Sequence, residues 1–355
     1  RSGACVSVRP SSGRFAATFS QREKGDTRRG QRREQRMLSK LLAVALACVT
    51  SCLAHAQPLT KITIVETGSG SATRWPIYGA QLRGYFKDVG LEVEFVPAPA
   101  SNAVMQQLAA GSAPMGAASP IDALRAIDKG APISLLRIES TQAPYEVFAK
   151  KSIAKLADLK GKTIMIGGAR DITRFYMERM LTPNGVKPGE YDYVYAGATA
   201  QRYAALQSGS IDATILAAPF NFRARGDGFT NLGAPATYVR DVPFSAVLVN
   251  NAWAKQNRAT VDRFLAAYEK GAAWWHDPAN REEAINILQK ESKQDRGDVE
   301  KTYDFYREIK VLDREGIIEN KGLADLVNLL KEGGELEGST ELSRFYDLSL
   351  GAKAR

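Results

Sequence analysis

Beyond position 56 the chain contains no cysteine and a single histidine, His276; its three cysteines, Cys5, Cys48 and Cys52, all come earlier. Zinc, iron–sulfur and haem sites draw on Cys and His ligands, and one imidazole cannot supply them. We therefore expect no metal and no cofactor. Nucleophilic catalysis of the Ser–His–Asp or Cys–His kind would have to run through His276 alone. A chain of this size builds an adequate core without disulfides, so their absence is compatible with export. No apolar run approaches the roughly 20 residues that span a bilayer. A basic surface is missing too. The net charge is +9, but ten Lys/Arg against three Asp/Glu fall in residues 1–36 and Lys40 adds one more, leaving the rest near neutrality. The electrostatic footprint of a nucleic-acid binder is absent, and no such partner is expected.

What is present is ordinary for a globular protein: 355 residues, 44% hydrophobic and 25% charged, enough for two folded units. The start carries the three parts of a secretory signal over residues 37–56. Met37-Leu38-Ser39-Lys40 is the positive region, Leu41 to Val49 the apolar run, and Ala54-His55-Ala56 a small-x-small cleavage site. Cleavage after Ala56 would deliver the protein to the periplasm. Residues 1–36 read as disordered, or as translation from a start placed too early. Val49-Thr50-Ser51-Cys52 also fits a loose lipoprotein box, in which Cys52 would be lipidated and retained.

From Lys61 onward, short apolar runs alternate with amphipathic stretches. Ile62–Glu66, Leu91–Val96, Ile133–Ile138, Thr163–Ile166, Tyr191–Tyr195, Ala213–Leu216 and Ala246–Asn250 read as strands. Tyr78–Val89, Ala103–Ala110, Asp122–Lys129, Thr173–Leu181 and Arg202–Ser208 read as helices between them. That alternation predicts an α/β fold with mainly parallel sheets. After Asn250 the pattern becomes helical, with one helix over Ala252–Trp275 stopped by His276-Asp277-Pro278. A weak repeat runs through the chain. Leu108-Ala-Ala-Gly-Ser-Ala-Pro-Met-Gly-Ala-Ala-Ser-Pro120 echoes Leu206-Gln-Ser-Gly-Ser-Ile-Asp-Ala-Thr-Ile-Leu-Ala-Ala-Pro219, and Lys61–Val65 echoes Gly161–Met165. An offset near 100 residues suggests two similar βα lobes rather than a solenoid of ~20–50-residue units.

The informative positions are the strand-to-helix junctions. They are Thr67-Gly-Ser-Gly-Ser-Ala-Thr-Arg-Trp-Pro76, Ser101-Asn102, Ser119-Pro120, Gly167–Asp171, Gly197–Thr199 and Ala217–Pro219. Small polar residues with proline following are helix N-cap chemistry. Ligands of open α/β sheets bind beyond the carboxyl ends of the strands, where free N–H groups and the positive ends of helices point. Such turns are also capped simply for stability, and both readings stand at this point.

These residues carry a family resemblance. Gly84-Tyr85-Phe86 followed by Val89-Gly90-Leu91-Glu92-Val93-Glu94 resembles the opening of periplasmic substrate-binding proteins of the nitrate/sulfonate/taurine type. Lys129-Gly-Ala-Pro-Ile133, Leu156-Ala-Asp-Leu-Lys-Gly-Lys-Thr163 and Gly209-Ser-Ile-Asp-Ala213 match later landmarks in order. Pro114 departs from the pattern, standing where the family often has an aspartate. The resemblance covers about Lys61 to Lys331. It implies a type-II-like periplasmic binding protein fold, two βα lobes joined by two crossing strands, with a helical C-terminal extension. Lobe I would take residues 58–147 plus 246–355 and lobe II residues 148–245, with crossings near Tyr145–Ala149 and Phe244–Val249. Carried over position by position, the ligand wall would be Thr67, Gly68, Arg74, Trp75, Ser101, Asn102, Ser119, Gly168, Arg170, Asp171, Thr199 and Pro219.

The function implied is non-catalytic capture of a small organic anion, a sulfonate or a carboxylate. The captured ligand would be delivered to an ABC permease in the inner membrane, by a protein acting as a monomer. Arg74, Arg170 and Arg174 are the candidates to grip the acid, bidentately in the best case. Trp75 is the candidate to stack on a planar ligand. Two other readings share the fold. One is a ligand-sensing module for a membrane receptor. The other is an enzyme resembling the yeast-type pyrimidine-precursor synthases, which use a cysteine-rich motif and an active-site histidine, whereas beyond position 56 this chain has no cysteine and one badly placed histidine, His276.

Overall fold

Among the residues that the computed structural model describes (58–355 apart from Ser69, Ala198, Arg240 and Asp241), ten strands form two five-stranded sheets. The readings of the leader, Cys52 included, lie outside the described residues. In chain order the first part runs β1 (Thr60–Thr67), α1 (Trp75–Leu82), α2 (Tyr85–Asp88), β2 (Leu91–Ala98), α3 (Ser101–Ala109), β3 (Met115–Ala118), α4 (Pro120–Asp128) and β4 (Ile133–Ser140). The second part runs β5 (Tyr145–Ala149), β6 (Thr163–Ile166), α5 (Ile172–Leu181), β7 (Asp192–Tyr195), α6 (Thr199–Gln207), β8 (Ala213–Ala217), α7 (Phe220–Gly226) and β9 (Thr230–Gly233). β10 (Ser245–Asn250) follows, then α8 (Asn251–Gln256), α9 (Arg258–His276), α10 (Arg281–Ser292), α11 (Arg296–Glu308) and α12 (Asn320–Glu332). No helix among the described residues is long and apolar enough to cross a membrane.

The sheet orders are β2-β1-β3-β10-β4 and β7-β6-β8-β5-β9. β1 pairs parallel with β2 and β3, and β6 pairs parallel with β7 and β8. In each sheet the fourth position is an antiparallel strand, β10 or β5. Parallel neighbours need long crossovers, and the helices between them cover the sheet faces. β4 and β10 are accordingly buried at every residue. The segments that echo each other in sequence fall on equivalent strands, β1 with β6 and β3 with β8.

The chain leaves the first sheet between Ser140 and Tyr145 and returns between Gly233 and Ser245. Tyr145–Ala149 is thus not a crossing segment but a full strand of the second sheet, and an expected boundary at 147/148 cuts through it. The alternation also hid β9, whose Thr-Asn-Leu-Gly is too polar to stand out. The expected helix Tyr78–Val89 is two helices, because Gly84 at φ +80° takes the left-handed region and ends the first. The expected helix Ala252–Trp275 also breaks, at Asn257 with φ −123° and ψ 31°.

α9 lies against α1 and closes the first half of the core. Trp75, Trp275, Phe86, Phe264 and Tyr268 are essentially unexposed there. The approach is close because both helices carry glycine at the contact. A methyl on Gly79 would meet the Trp274 ring at 2.5 Å, and one on Gly271 would strike the Pro76 carbonyl oxygen and the Ala80 methyl. The C-terminal tail then returns to β4, where Leu135 N–H donates to the Phe345 carbonyl at 2.8 Å. Gly271→Ala should therefore force α1 and α9 apart and destabilise by about 1–3 kcal/mol. Urea unfolding measures this; an unchanged midpoint would show that the helices are not held at this distance.

Candidate ligand-binding seam

The carboxyl ends of the parallel strands in both sheets converge on one seam. On the first side, Thr67 ends β1 and Gly68 follows at φ +72°. Ser101 is the first residue of α3, two positions before the expected start at Ala103, and Ala100 is the cap. Ser119 does occupy the cap position of α4, with Pro120 after it, yet its side chain makes no cap bond. Its backbone N–H donates to Ser101 Oγ at 3.3 Å. Ser119 Oγ and Thr67 Oγ1 are both buried without a hydrogen-bond partner among the described residues. Buried hydroxyls are normally satisfied, so two orphans at neighbouring strand ends are a feature to explain.

On the second side, Gly167 and Gly168 follow β6, and Asp171 caps α5 by accepting the Thr173 N–H at 2.9 Å. Gly167 N–H donates to Thr173 Oγ1 at 2.8 Å, folding the turn onto the helix start. Thr199 opens α6, and Pro219 precedes α7 through a cis bond to Ala218. Arg202, 1% exposed, fastens these ends together. It donates to Ile215 O (3.0 Å), Ala196 O (3.1 Å), Gly197 O (2.7 Å) and Thr199 Oγ1 (2.9 Å).

The two sides touch. Arg125 of α4 donates to Asp122 at 3.0 Å and across the seam to the Arg170 carbonyl at 2.7 Å, and it also pairs with Glu335. Asp122 is raised above its ordinary value mainly by burial, opposed by Ser101 and Arg125, with Asp171 adding to the rise from the other side. Tyr145 sits beneath, tilted on Tyr176 at 6.3 Å and edge-on to Phe244 at 5.5 Å. Burial pushes the Tyr145 hydroxyl up to about 12, with Arg202 pulling it down and Asp171 raising it. The Tyr176 hydroxyl, on a side chain 1% exposed, has no hydrogen-bond partner among the described residues. At the far end Phe222 meets Phe305 edge-on at 5.7 Å and Arg223 pairs with Asp298.

Five sequence-derived side chains lie elsewhere than expected. Trp75 is unexposed, packed against Trp275, Tyr303 and Tyr306, with its indole N–H donating to Ala284 O at 2.6 Å. It offers no face to a ligand. Arg74 is 3% exposed and held between two carboxylates: it bonds Glu139 and Ser245 Oγ (2.7 Å) and lies 3.5 Å from Glu66. The latter is an ion contact rather than a hydrogen bond. Tyr268 donates to Glu139 at 3.1 Å and Tyr78 to Glu66 at 3.0 Å, completing a buried cluster. Arg170 keeps its carbonyl at the seam, but its side chain is exposed. Arg174 pairs with Glu178, and Asn102 is exposed on α3. Asp122, Tyr145, Tyr176 and Arg202 are seam residues that sequence reasoning missed; only Asp122, one turn into a Ser-Pro helix start, left a local signal.

A groove of about 1030 Å³ opens beside the seam, lined by Arg125, Arg170, Asp171, Phe175, Tyr238 and Glu335 among others. It reaches from solvent to Asp171. His276 is remote from all this, bonded to the Ala272 and Leu312 carbonyls at the end of α9.

A family model described as NMT1/THI5 like matches residues 72–281. The curated 4-amino-5-hydroxymethyl-2-methylpyrimidine phosphate synthase THI13 of Saccharomyces cerevisiae is 27% identical over 158 residues, 44% of this chain and 45% of that protein. The nitrate/nitrite binding protein NrtA of Synechococcus elongatus is 28% identical over 142 residues, 39% of this chain and 30% of that one. The chain thus spans less than half the length of these curated relatives. The solved periplasmic aliphatic sulphonate binding protein SsuA from Escherichia coli superposes with a TM-score of 0.66 at 20% identity, over 82% of this chain and 98% of that one. The fold is that of the periplasmic binding proteins.

The buried cluster yields a prediction. Arg74→Ala leaves two buried carboxylates without this cation and should cost about 3–5 kcal/mol. Burial already raises Glu66 from its ordinary 4.5, and Arg74 is the largest influence opposing it. A carboxyl raised in the folded state contributes stability fully below its unfolded value, lost as pH rises through the folded value. Without Arg74 that rise is larger, so the deficit should be greatest near pH 8 and shrink toward about pH 5 in urea titrations. A deficit independent of pH would contradict the ion cluster.

Proposed function

Because the chain belongs to the NMT1/THI5-like family, we propose that it is a non-catalytic, periplasmic solute-binding protein. Its two halves close on a small organic solute at the seam, and the loaded monomer hands the solute to an ABC permease. The observation that carries this reading is the pair of buried hydroxyls without a partner among the described residues, Thr67 Oγ1 and Ser119 Oγ, at neighbouring strand ends on the side of the seam from which Arg125 reaches the opposite half. A solute with polar edges would give them the partners they lack, and release would return them to water as the halves part. Gly68, Ser101, Gly168, Asp171, Thr199 and Pro219 complete the proposed wall, with Asp122, Tyr145 and Arg202 added. Arg74, Trp75 and Asn102 leave it, and Arg170 stays at its edge with an exposed side chain on the adjoining groove.

The sulfonate- and nitrate-binding names of similar proteins support the carrier role. The synthase names of the yeast relatives support the enzyme instead, but the seam has neither cysteine nor histidine to act. An anionic solute, as first expected, would have to bind without Arg74 or Arg174, both engaged with carboxylates, and would rely on Arg170, whose exposed side chain lines the groove.

Two outcomes test the reading. Protein stripped by unfolding and refolding, then exposed to a bacterial small-molecule extract, should gain stability, about 2.7 kcal/mol for a solute at 100 times its Kd. Mass spectrometry should recover that solute unchanged. Accumulation of a new compound would make the protein an enzyme, and an unmoved melting curve would deny it a solute. Ser119→Ala should leave the unliganded melting temperature unchanged or slightly higher, because it deletes an unsatisfied buried hydroxyl, while weakening solute binding by about tenfold. A marked loss of unliganded stability would show that the hydroxyl serves the fold.

A further inference from the structure

We infer that Arg223 is a positioning residue for solute capture: without touching the solute, its ion pair with Asp298 clasps the two halves together over it. This rests on the solute-binding reading above and adds what sets the strength of the grip. Arg223 is on α7, which follows β8 of the second sheet, and Asp298 is in the first turn of α11, in the other half. Arg223 Nε donates to Asp298 Oδ2 at 3.0 Å, Nη2 donates to the same oxygen, and Asp295 stands 3.8 Å away.

Both groups are mounted on firm supports. Asn221, fully buried on α7, donates to Glu146 of β5 at 2.8 Å, and Arg225 pairs with the same carboxylate at 2.6 Å. The Arg223 guanidinium lies over the Phe220 ring of its own helix at 5.3 Å. On the other side, Val299, Tyr303 and Tyr306 bury α11 in the cluster that holds Trp75 and Trp275. A second contact beside the pair does not depend on charge. Phe222 meets Phe305 edge-on at 5.7 Å, and Ala218, in the turn before α7, packs against the first half's core. Asp298 shows only 14% of its side chain to solvent, which sets this pair apart from fully exposed ones that contribute little. A helix start repels a cation, and Asp295 and Asp298 make this one attract it.

Arg125, which also crosses the seam, is the weaker clasp. When the halves part it keeps both of its carboxylates, Asp122 and Glu335, which belong to its own half, and exchanges one carbonyl for water. Arg223 has its carboxylate partners, Asp298 and Asp295, entirely in the opposite half and would lose both. Asp298 in turn would lose the guanidinium that donates twice to its carboxylate. The pair thus exists only while the halves are together, and it biases them toward that arrangement. A solute that binds between closed halves has its apparent affinity reduced in proportion to the fraction of molecules that are closed. Removing the pair therefore weakens capture while leaving every group of the proposed wall in place.

The test uses the full chain, stripped as above, with the bacterial small-molecule extract as the probe. Melting curves against increasing extract are recorded for wild type, Arg223→Gln, Arg223→Lys, Asp298→Asn and the double variant of Arg223→Gln with Asp298→Asn. Both donors of Arg223 reach one oxygen, so a lysine ammonium can replace them as a point charge. Arg223→Gln and Asp298→Asn should each need about tenfold more extract for half the maximal shift, measured from each variant's own unliganded curve. The double variant should need no more than either single one, and Arg223→Lys should stay near wild type. A pair that serves only the fold would lower the unliganded curves and leave the required amount of extract unchanged, and that result overturns the inference. It is overturned equally if the two single effects multiply in the double variant, or if Arg223→Lys is as weak as Arg223→Gln. If the extract stabilises none of the proteins, the solute-binding reading fails, and solution X-ray scattering decides the clasp separately. A larger radius of gyration for Arg223→Gln than for wild type supports it, and equal radii end it.

Discussion

One guanidinium holds the working parts of this molecule in register. Arg74 stands in the turn after β1, a few residues beyond Thr67 and Gly68. Its partners Glu139 and Ser245 are, respectively, among the last residues of the first sheet before the chain departs and the first after it returns. The arginine therefore ties the loop that edges the seam to both passages between the halves. Its charge is shared by two carboxylates in surroundings with almost no water, an arrangement that is costly to form and more costly to break. A surface ion pair could not do this, since such pairs contribute little and exchange freely with solvent.

Around that fixed point the two sheets repeat a design. Each places three parallel strands beside one antiparallel strand, so the carboxyl ends of β1 and β3, and of β6 and β8, carry turns that face the partner half. Packing serves stability away from the seam, in the Trp75–Trp275–Tyr303 cluster and the close α1–α9 contact. Buried polar atoms without a partner among the described residues occur in both places, Trp274 Nε1, Trp275 Nε1 and Tyr303 OH in that cluster and Thr67 Oγ1 and Ser119 Oγ at the seam. At the strand ends such groups are what a binding site requires, because groups fully satisfied by the protein have nothing left to offer a solute. Arg125 and Arg223 bridge the halves on either side, and the contacts they make are the ones an opening motion would have to break.

Much of the scaffold was legible locally. β-branched runs such as Thr163–Ile166 and the Ser119-Pro120 helix start declare themselves within a few residues, and the structure puts both where the pattern does. What a side chain faces was not legible. A Trp-Pro pair at the start of a helix looks the same whether the indole lines a cleft or enters a core. Trp75 goes to the core because Trp275, Tyr303 and Ala284, some 200 residues on, form its pocket. Arg74 likewise read as a free cation because Glu139 and Ser245 lie far along the chain. Gly84 and Asn257 broke helices through backbone conformations that apolar periodicity does not register. Asp122 and Arg202 gained their importance only from what the opposite strand ends bring to them.

The central claim is that the seam between the halves opens and closes around a solute. Because the chain beyond position 56 has no cysteine, two can be introduced, at the exposed Gln106 on α3 and Gln201 on α6, and spin-labelled. Both helices begin at the seam, one in each half. Electron–electron distance measurement on stripped protein should give a longer or broader distribution that collapses to a single shorter distance when solute is restored. One distance, identical with and without solute, would contradict the account.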